Sequence, residues 1–227
     1  MGYLEQQKIM RNSEQLVVYN DDTFIYIFLK RIFDLFFAII GFFILLPVFA
    51  VVSGFYLFGE NRGPMFFSQQ RIGKNGKPFK ILKFRTMVVN AEEKLKTDRV
   101  LYKKFIKNGY KLETEEDPRI TRFGRFLRKT SIDELPQLLN VIKGEMSLVG
   151  PRPVVEEELA EYKERRSDFL SVKPGVTGYW QVSGRSNVNY PERVDIELYY
   201  VRHKSVLFDM KILLKTFTAV IFQRGAY

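Results

Sequence analysis

Asp133 and Glu134 stand side by side in the segment Arg128-Lys-Thr-Ser-Ile-Asp133-Glu134-Leu-Pro136, and Gly150-Pro-Arg152-Pro153 follows soon after. A carboxylate can attack phosphorus or bind a hard cation, and an arginine fork can hold the anion that two carboxylates alone would repel. Phosphate chemistry is one reading of this segment. A capping box is the other: Ser131 as N-cap and Glu134 at the third helical position would satisfy the free N–H groups of a helix start, with Pro136 tolerated in the first turn. The two are compatible, because a helix end that favours an ionised Asp133 also draws a phosphate toward it. Lys83, Arg85, Arg128, Arg152 and Arg185 add basic groups from separate parts of the chain. Arg152 lies between two prolines, which biases its backbone to an extended form on a stiff loop, and guanidinium suits bidentate phosphate contact better than ammonium.

Several elements must hold these groups. Residues 64 to 86 are predicted to form a β-hairpin, with Asn75-Gly76 as the tight turn and Lys74 and Lys77 exposed beside it. Residues 87 to about 107 have the pattern of a surface helix with Leu95, Leu101, Phe105 and Ile106 available for packing. The acid run ending at Asp117-Pro118 breaks it and reads as a solvated loop. Residues 154 to 166 look helical. Residues 171 to 185, with Pro174, Gly175, Gly178 and Gly184, do not. Residues 190 to 203 and 205 to 223 look helical again. In the last stretch Val206, Met210, Leu213, Leu214, Phe217, Val220 and Ile221 share a face suited equally to core packing and to a membrane interface.

The run from Ile32 to Phe58 carries one charge, Asp34. As a continuous helix it would be about 40 Å long against a hydrocarbon core of about 30 Å. It is no cleaved signal peptide, since about thirty mostly polar residues precede it and no small-residue cleavage site follows. Lys30 and Arg31 flank one end and Arg62, Arg71, Lys74 and Lys77 the other, so both ends have a cytoplasmic character. Pro47 predicts a kink at Leu46-Pro47. A helix that enters, bends and leaves on the same side satisfies both observations, ahead of a straight span or the buried helix of a soluble protein. The expected division is a polar extension over 1–29, a re-entrant helix over 30–59 anchored through Lys30, Arg31 and Pro47, and a catalytic domain over 60–227.

The chain has 227 residues and a mass of 26.8 kDa, enough for one substantial domain plus a membrane element. It has no cysteine, which excludes disulfides, thiolate metal sites and a cysteine nucleophile. The single histidine, His203, leaves little for histidine-based zinc sites or Ser-His-Asp relays and reads as structural. A net charge of +10 favours an anionic partner. The basic residues do not form one stripe with interleaved aromatics, which argues against nucleic acid. The rival to an enzyme is a membrane-anchored basic scaffold in which the acid pair only caps a helix.

Several blocks occur in a specific order: Lys30-Arg31, the kinked apolar segment, Gly63-Pro64-Met65-Phe66-Phe67, Lys83-Phe84-Arg85-Thr86-Met87, Ser131-x-Asp133-Glu134-Leu-Pro136-Gln137, Gly144 to Pro153, and Lys173-Pro174-Gly175-x-Thr177-Gly178. From about residue 30 to the C-terminus the chain resembles the bacterial sugar transferases, the monotopic phosphoglycosyl transferases. The resemblance implies an α/β fold, mostly α with a small β-hairpin. It also implies a Pro-kinked re-entrant helix, amphipathic interfacial helices, and a place on the cytoplasmic face of the bacterial inner membrane. It implies transfer of a sugar 1-phosphate from a UDP-sugar to undecaprenyl phosphate, with Asp133 as nucleophile and UMP released. Glu134 matches the second acid, with Mg²⁺ near the pair, and Arg128, Arg152 and Arg185 match phosphate-binding arginines, with Lys83 and Arg85 nearby. The role of Glu134 stays open among metal ligand, base and cap. Membrane lipids are implied partners, and a homodimer is compatible with the sequence. The stretch Trp180-Gln181-Val-Ser-Gly-Arg185 and the end Arg224-Gly225-Ala226-Tyr227 look like members that serve capsule or exopolysaccharide assembly, commonly with UDP-galactose or UDP-glucose. One departure is Leu46, where many shorter members carry Ser before the kink proline.

Overall fold

The computed structural model describes residues 24–107, 112, 114–183, 188 and 190–221. Most of the predicted polar extension, the capsule-like C-terminal end and Arg185 therefore lie outside the described residues. The described residues begin with a bent pair, α1 (Phe24–Ile44) and α2 (Leu46–Phe55), whose axes differ by 53°. The break falls at Leu45, just before the expected dipeptide, with Pro47 in the first turn of α2. Without an N–H at position 47 the Phe43 carbonyl loses its usual partner, and the ring crowds the preceding turn, so the helix bends there. No single described helix is long and apolar enough to cross a membrane, although the bent pair passes that test together by length and composition.

One side of α1 rests on the rest of the chain. Ala38 and Asp34 are buried, Lys30 and Arg31 half-buried, while Ile32, Phe36, Ile39 and Phe43 face outward. The docked charges find internal partners. Lys30 Nζ donates to Asp209 Oδ2 at 2.6 Å and to the Val149 carbonyl at 3.0 Å. Arg31 donates to the carbonyls of Val141 and Ile142 at 2.7 and 3.0 Å. Asp34 Oδ1 accepts from Ser147 Oγ and the Leu148 N–H, both at 3.0 Å. Lys30 and Arg31 are expected to anchor the membrane helix; in the structure both side chains bond inside the protein, joining α1 to the domain.

The hairpin forms as expected from β1 (Phe66–Ile72) and β2 (Pro78–Phe84), antiparallel, with Phe66 opposite Phe84. Asn75 and Gly76 take φ of 58° and 75° at its turn, the left-handed region that this residue pair tolerates. Lys77 is exposed and Lys74 half-buried. The single surface helix expected next is two, α3 (Ala91–Thr97) and α4 (Arg99–Lys107), since Asp98 leaves helical geometry and its carboxylate accepts from the N–H groups of Val100 and Leu101. The acid run is not wholly solvated either. Glu115 and Glu116 are exposed, but Asp117 is buried and bonded twice to the Arg119 guanidinium, at 2.8 and 2.7 Å.

Beyond lie α5 (Arg122–Lys129), a 3-10 turn (Ile132–Glu134), α6 (Gln137–Lys143) and β3 (Ser147–Val149). The predicted helix over 154–166 is α7 (Glu156–Leu159), a kinked 3-10 stretch (Ala160–Arg165) and α8 (Arg166–Leu170). Residues 171–185 do contain regular structure, against expectation: β4 (Gly175–Thr177) pairs in parallel with β3, and α9 (Tyr179–Ser183) follows. A Cβ on Gly175 would fall 2.1 Å from the Gly150 nitrogen, so the pairing requires glycine. Then come α10 (Glu192–His203) and α11 (Val206–Ile221). On α11 the core side is not the predicted face: Ile212 and Asp209 are buried, whereas Met210, Leu214 and Phe217 of that face are exposed, as is Leu207.

Two apolar clusters follow from this arrangement. The larger joins Phe79, Ile81, Val141, Met146, Val149, Tyr162, Leu198 and Ile212. The smaller joins Val52 of α2 and Tyr56 just past its end to Phe84 and Leu127, with Ile132 and Leu135 packed against it. Burial of side chains this size contributes about 1.5–3 kcal/mol each. The smaller cluster is the wall behind the acid pair.

Candidate active site

Asp133 and Glu134 sit on the 3-10 turn between α5 and α6. The expected capping box is not formed. Ser131 takes φ 58° and ψ 15° and makes no side-chain cap bond, while its N–H donates to the Arg128 carbonyl at 3.1 Å. This left-handed residue ends α5 and swings the chain into the turn, a strained conformation for a non-glycine residue. Pro136 is at the start of α6, as anticipated.

The two carboxylates are neighbours in different surroundings. The Asp133 side chain is 11% exposed, whereas that of Glu134 keeps 36% of its surface open. Lys83, near the end of β2, donates from Nζ to Glu134 Oε1 at 2.6 Å and lies 3.9 Å from Asp133 Oδ2. Burial pushes Asp133 up to about 6; Lys83 and Arg128 pull it down, and the charge on Glu134 adds to the rise. Burial works against ionisation of Glu134 as well, but the Lys83 charge and hydrogen bond, Arg152 and a bond from Gln137 outweigh it, so its pKa falls below the usual value. The helix start thus does not hold Asp133 low: desolvation wins there.

Arg128 reaches the site from the last turn of α5, and its Nε donates to Thr86 Oγ1 at 3.0 Å. It feels both Asp133 and Glu134. The contact depends on close packing of α5 on the exit of β2, where the Thr121 N–H donates to the Thr86 carbonyl and Thr121 Oγ1 caps Gly124. Arg152 is on a loop pinned by three backbone bonds: Gly150 N–H to Thr177 O, Gly175 N–H to Pro151 O, and Ile72 N–H to Val154 O. Its guanidinium lies 5.9 Å from the Trp180 ring centroid, and among the described residues it forms no ion pair.

Arg85 departs from the expectation of a phosphate ligand. It is 8% exposed, and its donors go to the carbonyls of Pro64, Met87 and Asn61, with the ring of Tyr56 5.3 Å away. It clamps the loop around the hairpin. Sequence reasoning also missed Thr86, which orients Arg128, and Asn140, whose amide ties α6 to β2 through Leu82 N–H and Lys80 O. Thr86 lies inside a block already singled out beside Lys83. Asn140 left no such signal.

Among the described residues no group of three or more His, Asp or Glu gathers around a point. Two carboxylates suffice for Mg²⁺ when substrate phosphates complete the shell. The pair fits that role, with the Lys83 ammonium now answering the charge that such an ion would share. The arrangement offers a buried, poorly neutralised carboxylate as nucleophile, with cations from three elements to receive phosphoryl oxygens.

A family model described as bacterial sugar transferase matches residues 25–223. The exopolysaccharide production protein ExoY of Sinorhizobium fredii is 46% identical over 205 residues, covering 87% of this chain and 88% of that protein. The UDP-galactose-lipid carrier transferase of Erwinia amylovora is 47% identical over 233 residues, covering 100% of this chain and 47% of its own length. The undecaprenyl-phosphate galactose phosphotransferase of Salmonella typhimurium is 45% identical over 204 residues, covering 88% of this chain and 42% of its own length. The chain thus spans most of the first relative and less than half of the other two.

Proposed function

The chain belongs to the bacterial sugar transferase family, and on that premise we propose that it transfers a sugar 1-phosphate from a UDP-sugar to undecaprenyl phosphate, releasing UMP. The observation that carries this reading is Asp133: a buried carboxylate pushed up to about 6, flanked by Arg128 and facing Lys83. Such a group is ionised at neutral pH yet poorly solvated, which suits a nucleophile.

An Asp133 oxygen attacks the β-phosphorus of the UDP-sugar, forming an O–P bond. The bond from that phosphorus to the oxygen bridging the α-phosphate breaks, and UMP leaves with the electron pair. An oxygen of undecaprenyl phosphate then attacks the same phosphorus and expels the Asp133 carboxylate. Arg128 and Arg152 hold phosphoryl oxygens as charge moves, and Glu134, bonded to Lys83 Nζ at 2.6 Å, holds that ammonium within reach of the substrate phosphates. Mg²⁺ held by Asp133 and Glu134 together with the substrate would neutralise the repulsion between the reacting anions.

Two relatives carry galactose in their names, so UDP-galactose is the first donor to test and UDP-glucose the second. The reading places the reaction at the cytoplasmic face of a bacterial inner membrane, in exopolysaccharide or capsule assembly, with α1 and α2 as a re-entrant hairpin. Cysteines placed at Phe24 and Phe58 of this cysteine-free chain should then be labelled from one side, and labelling from opposite sides would sink the hairpin.

The test of the chemistry is UMP release from both UDP-sugars with undecaprenyl phosphate in nanodiscs. With acceptor left out, labelled phosphosugar should stay on the wild-type chain and not on Asp133→Asn; no trapped label would remove the covalent route. Chelation by EDTA should stop turnover and Mg²⁺ restore it, whereas turnover indifferent to chelation would remove the metal.

A further inference from the structure

Among the described residues Lys83 is held by Glu134 and Arg128 by Thr86, whereas the Arg152 guanidinium meets neither a hydrogen-bond acceptor nor a paired acid. What it meets is the ring of Trp180, with the centroid 5.9 Å away. A second guanidinium shares that ring. Arg193, on α10, lies 4.1 Å from the Trp180 centroid and 5.0 Å from that of Tyr190. The two cations differ in freedom. Arg193 is buried and donates from Nε and Nη2 to Glu197 Oε1, both at 3.1 Å, while the other Glu197 oxygen accepts from the Tyr162 hydroxyl. Arg193 is thus neutralised and fixed. Arg152 has no such partner, and its charge is felt at Glu134 of the acid pair. The main chain brings ring and guanidinium together. A Cβ on Gly178 would fall 2.2 Å from the Gly150 carbonyl oxygen, so the two glycines touch backbone to backbone, and Trp180 and Arg152 each follow two residues later. A buried Arg–Glu pair one helical turn apart, packed beside a tryptophan, is ordinarily a feature of the core. Here the ring that it fixes also carries a guanidinium of the site.

We propose that Trp180 is a positioning residue for Arg152: clamped by the Arg193–Glu197 pair, its ring holds the Arg152 guanidinium by cation–π contact where a phosphoryl oxygen of the donor arrives. Without such a platform a long side chain with many rotamers would have to be ordered by the substrate itself. A π face attracts a cation without occupying its N–H groups, so the whole fork stays open to phosphate, which a carboxylate in the same place would not allow. The proposal rests on the UDP-sugar reading of the site and adds the residues that prepare one of its arginines.

Trp180 is the single tryptophan of the chain, so its fluorescence reports this one ring. UDP, the donor without its sugar, is titrated into the full unaltered chain in detergent micelles, with binding followed in parallel by equilibrium dialysis. Emission should shift along the binding curve as phosphate draws the Arg152 charge from the ring, and Arg152→Gln with UDP bound should show no shift. Bound UDP that leaves the wild-type emission unmoved, or moves that of Arg152→Gln equally, overturns the proposal. UDP that does not bind sinks the UDP-sugar reading itself. Turnover supplies the second arm: Trp180→Leu should lower kcat/KM for the donor by about 3- to 30-fold, with Trp180→Phe recovering most of the loss. In an Arg152→Lys chain, whose ammonium lays no plane on the ring, Trp180→Leu should add little further loss; factors that multiply would mark a merely structural role and overturn the proposal. Arg193→Lys keeps a cation for Glu197 and loses the stack. It should move the Trp180 emission of the free chain and shrink its response to UDP, and unchanged emission overturns the clamp.

Discussion

At the foot of α1, Lys30 Nζ reaches Asp209 at 2.6 Å, the Tyr200 hydroxyl donates to the other Asp209 oxygen at 2.8 Å, and Asp34 accepts two bonds from β3. At the acid pair, Asp133 has its nearest ammonium at 3.9 Å, because Lys83 is turned toward Glu134. Burial raises the pKa of both Asp209 and Asp133, so the direction of titration does not separate the two places. Hydrogen-bond geometry does. A buried carboxylate bonded by two close donors is a joint, and one left short of partners is available to an incoming phosphorus atom.

Substitution at each place should break the comparison in opposite ways. Asp133→Asn should lower sugar-phosphate transfer by about 10⁴-fold or more while leaving the thermal midpoint nearly unchanged, read as UMP release beside a melting curve. Lys30→Met should do the reverse, costing about 3–5 kcal/mol of stability by leaving Asp209 buried without its ammonium, with turnover per folded molecule retained. A Lys30→Met chain that melts normally but cannot turn over would erase the distinction. Arg152→Lys keeps the charge and loses the fork, so kcat/KM should drop about 10- to 100-fold; an unchanged value would remove any bidentate role. The smallest effect concerns pH. If Asp133 must be ionised, kcat/KM rises as pH climbs through about 6. Glu134→Gln deletes a charge that raises the Asp133 pKa and should move this limb to lower pH. Lys83→Met deletes the cation that lowers it and should move the limb higher, and opposite movements would reassign the titrating group.

Local chemistry made some of this legible in the sequence. Asn75-Gly76 carries its own turn geometry, and Pro47 its own bend, so hairpin and kink could be read without knowing their surroundings. Charges could not be read that way. Lys30 and Arg31 beside an apolar run look like membrane flanks until the fold brings Asp209 to the first and the end of α6 to the second. Lys83 and Arg85 are two apart and would share a face of a continuing strand. β2 ends at Phe84, so alternation no longer applies to Arg85 and its side chain turns to other partners. Ser131 fits a cap pattern, yet its left-handed backbone serves to end one helix rather than to begin the next. Three-residue strands such as β3 and β4 hold too few positions for a pattern to show, and glycines that look like loop residues are what permits them to pair.

A Cβ on Gly124 would fall 1.9 Å from the Thr86 carbonyl oxygen, so α5 meets the exit of β2 backbone to backbone. Side chains between two elements act as springs, able to change rotamer and absorb small displacements; a joint of main chain on main chain has no such play. Lys83 leaves from one half of that joint and Arg128 from the other, and their separation is therefore a fixed tolerance of the scaffold. A single methyl group at position 124 would act as a shim, displacing every group on α5 by the same amount and leaving the chemistry of each intact but the gap between them wrong.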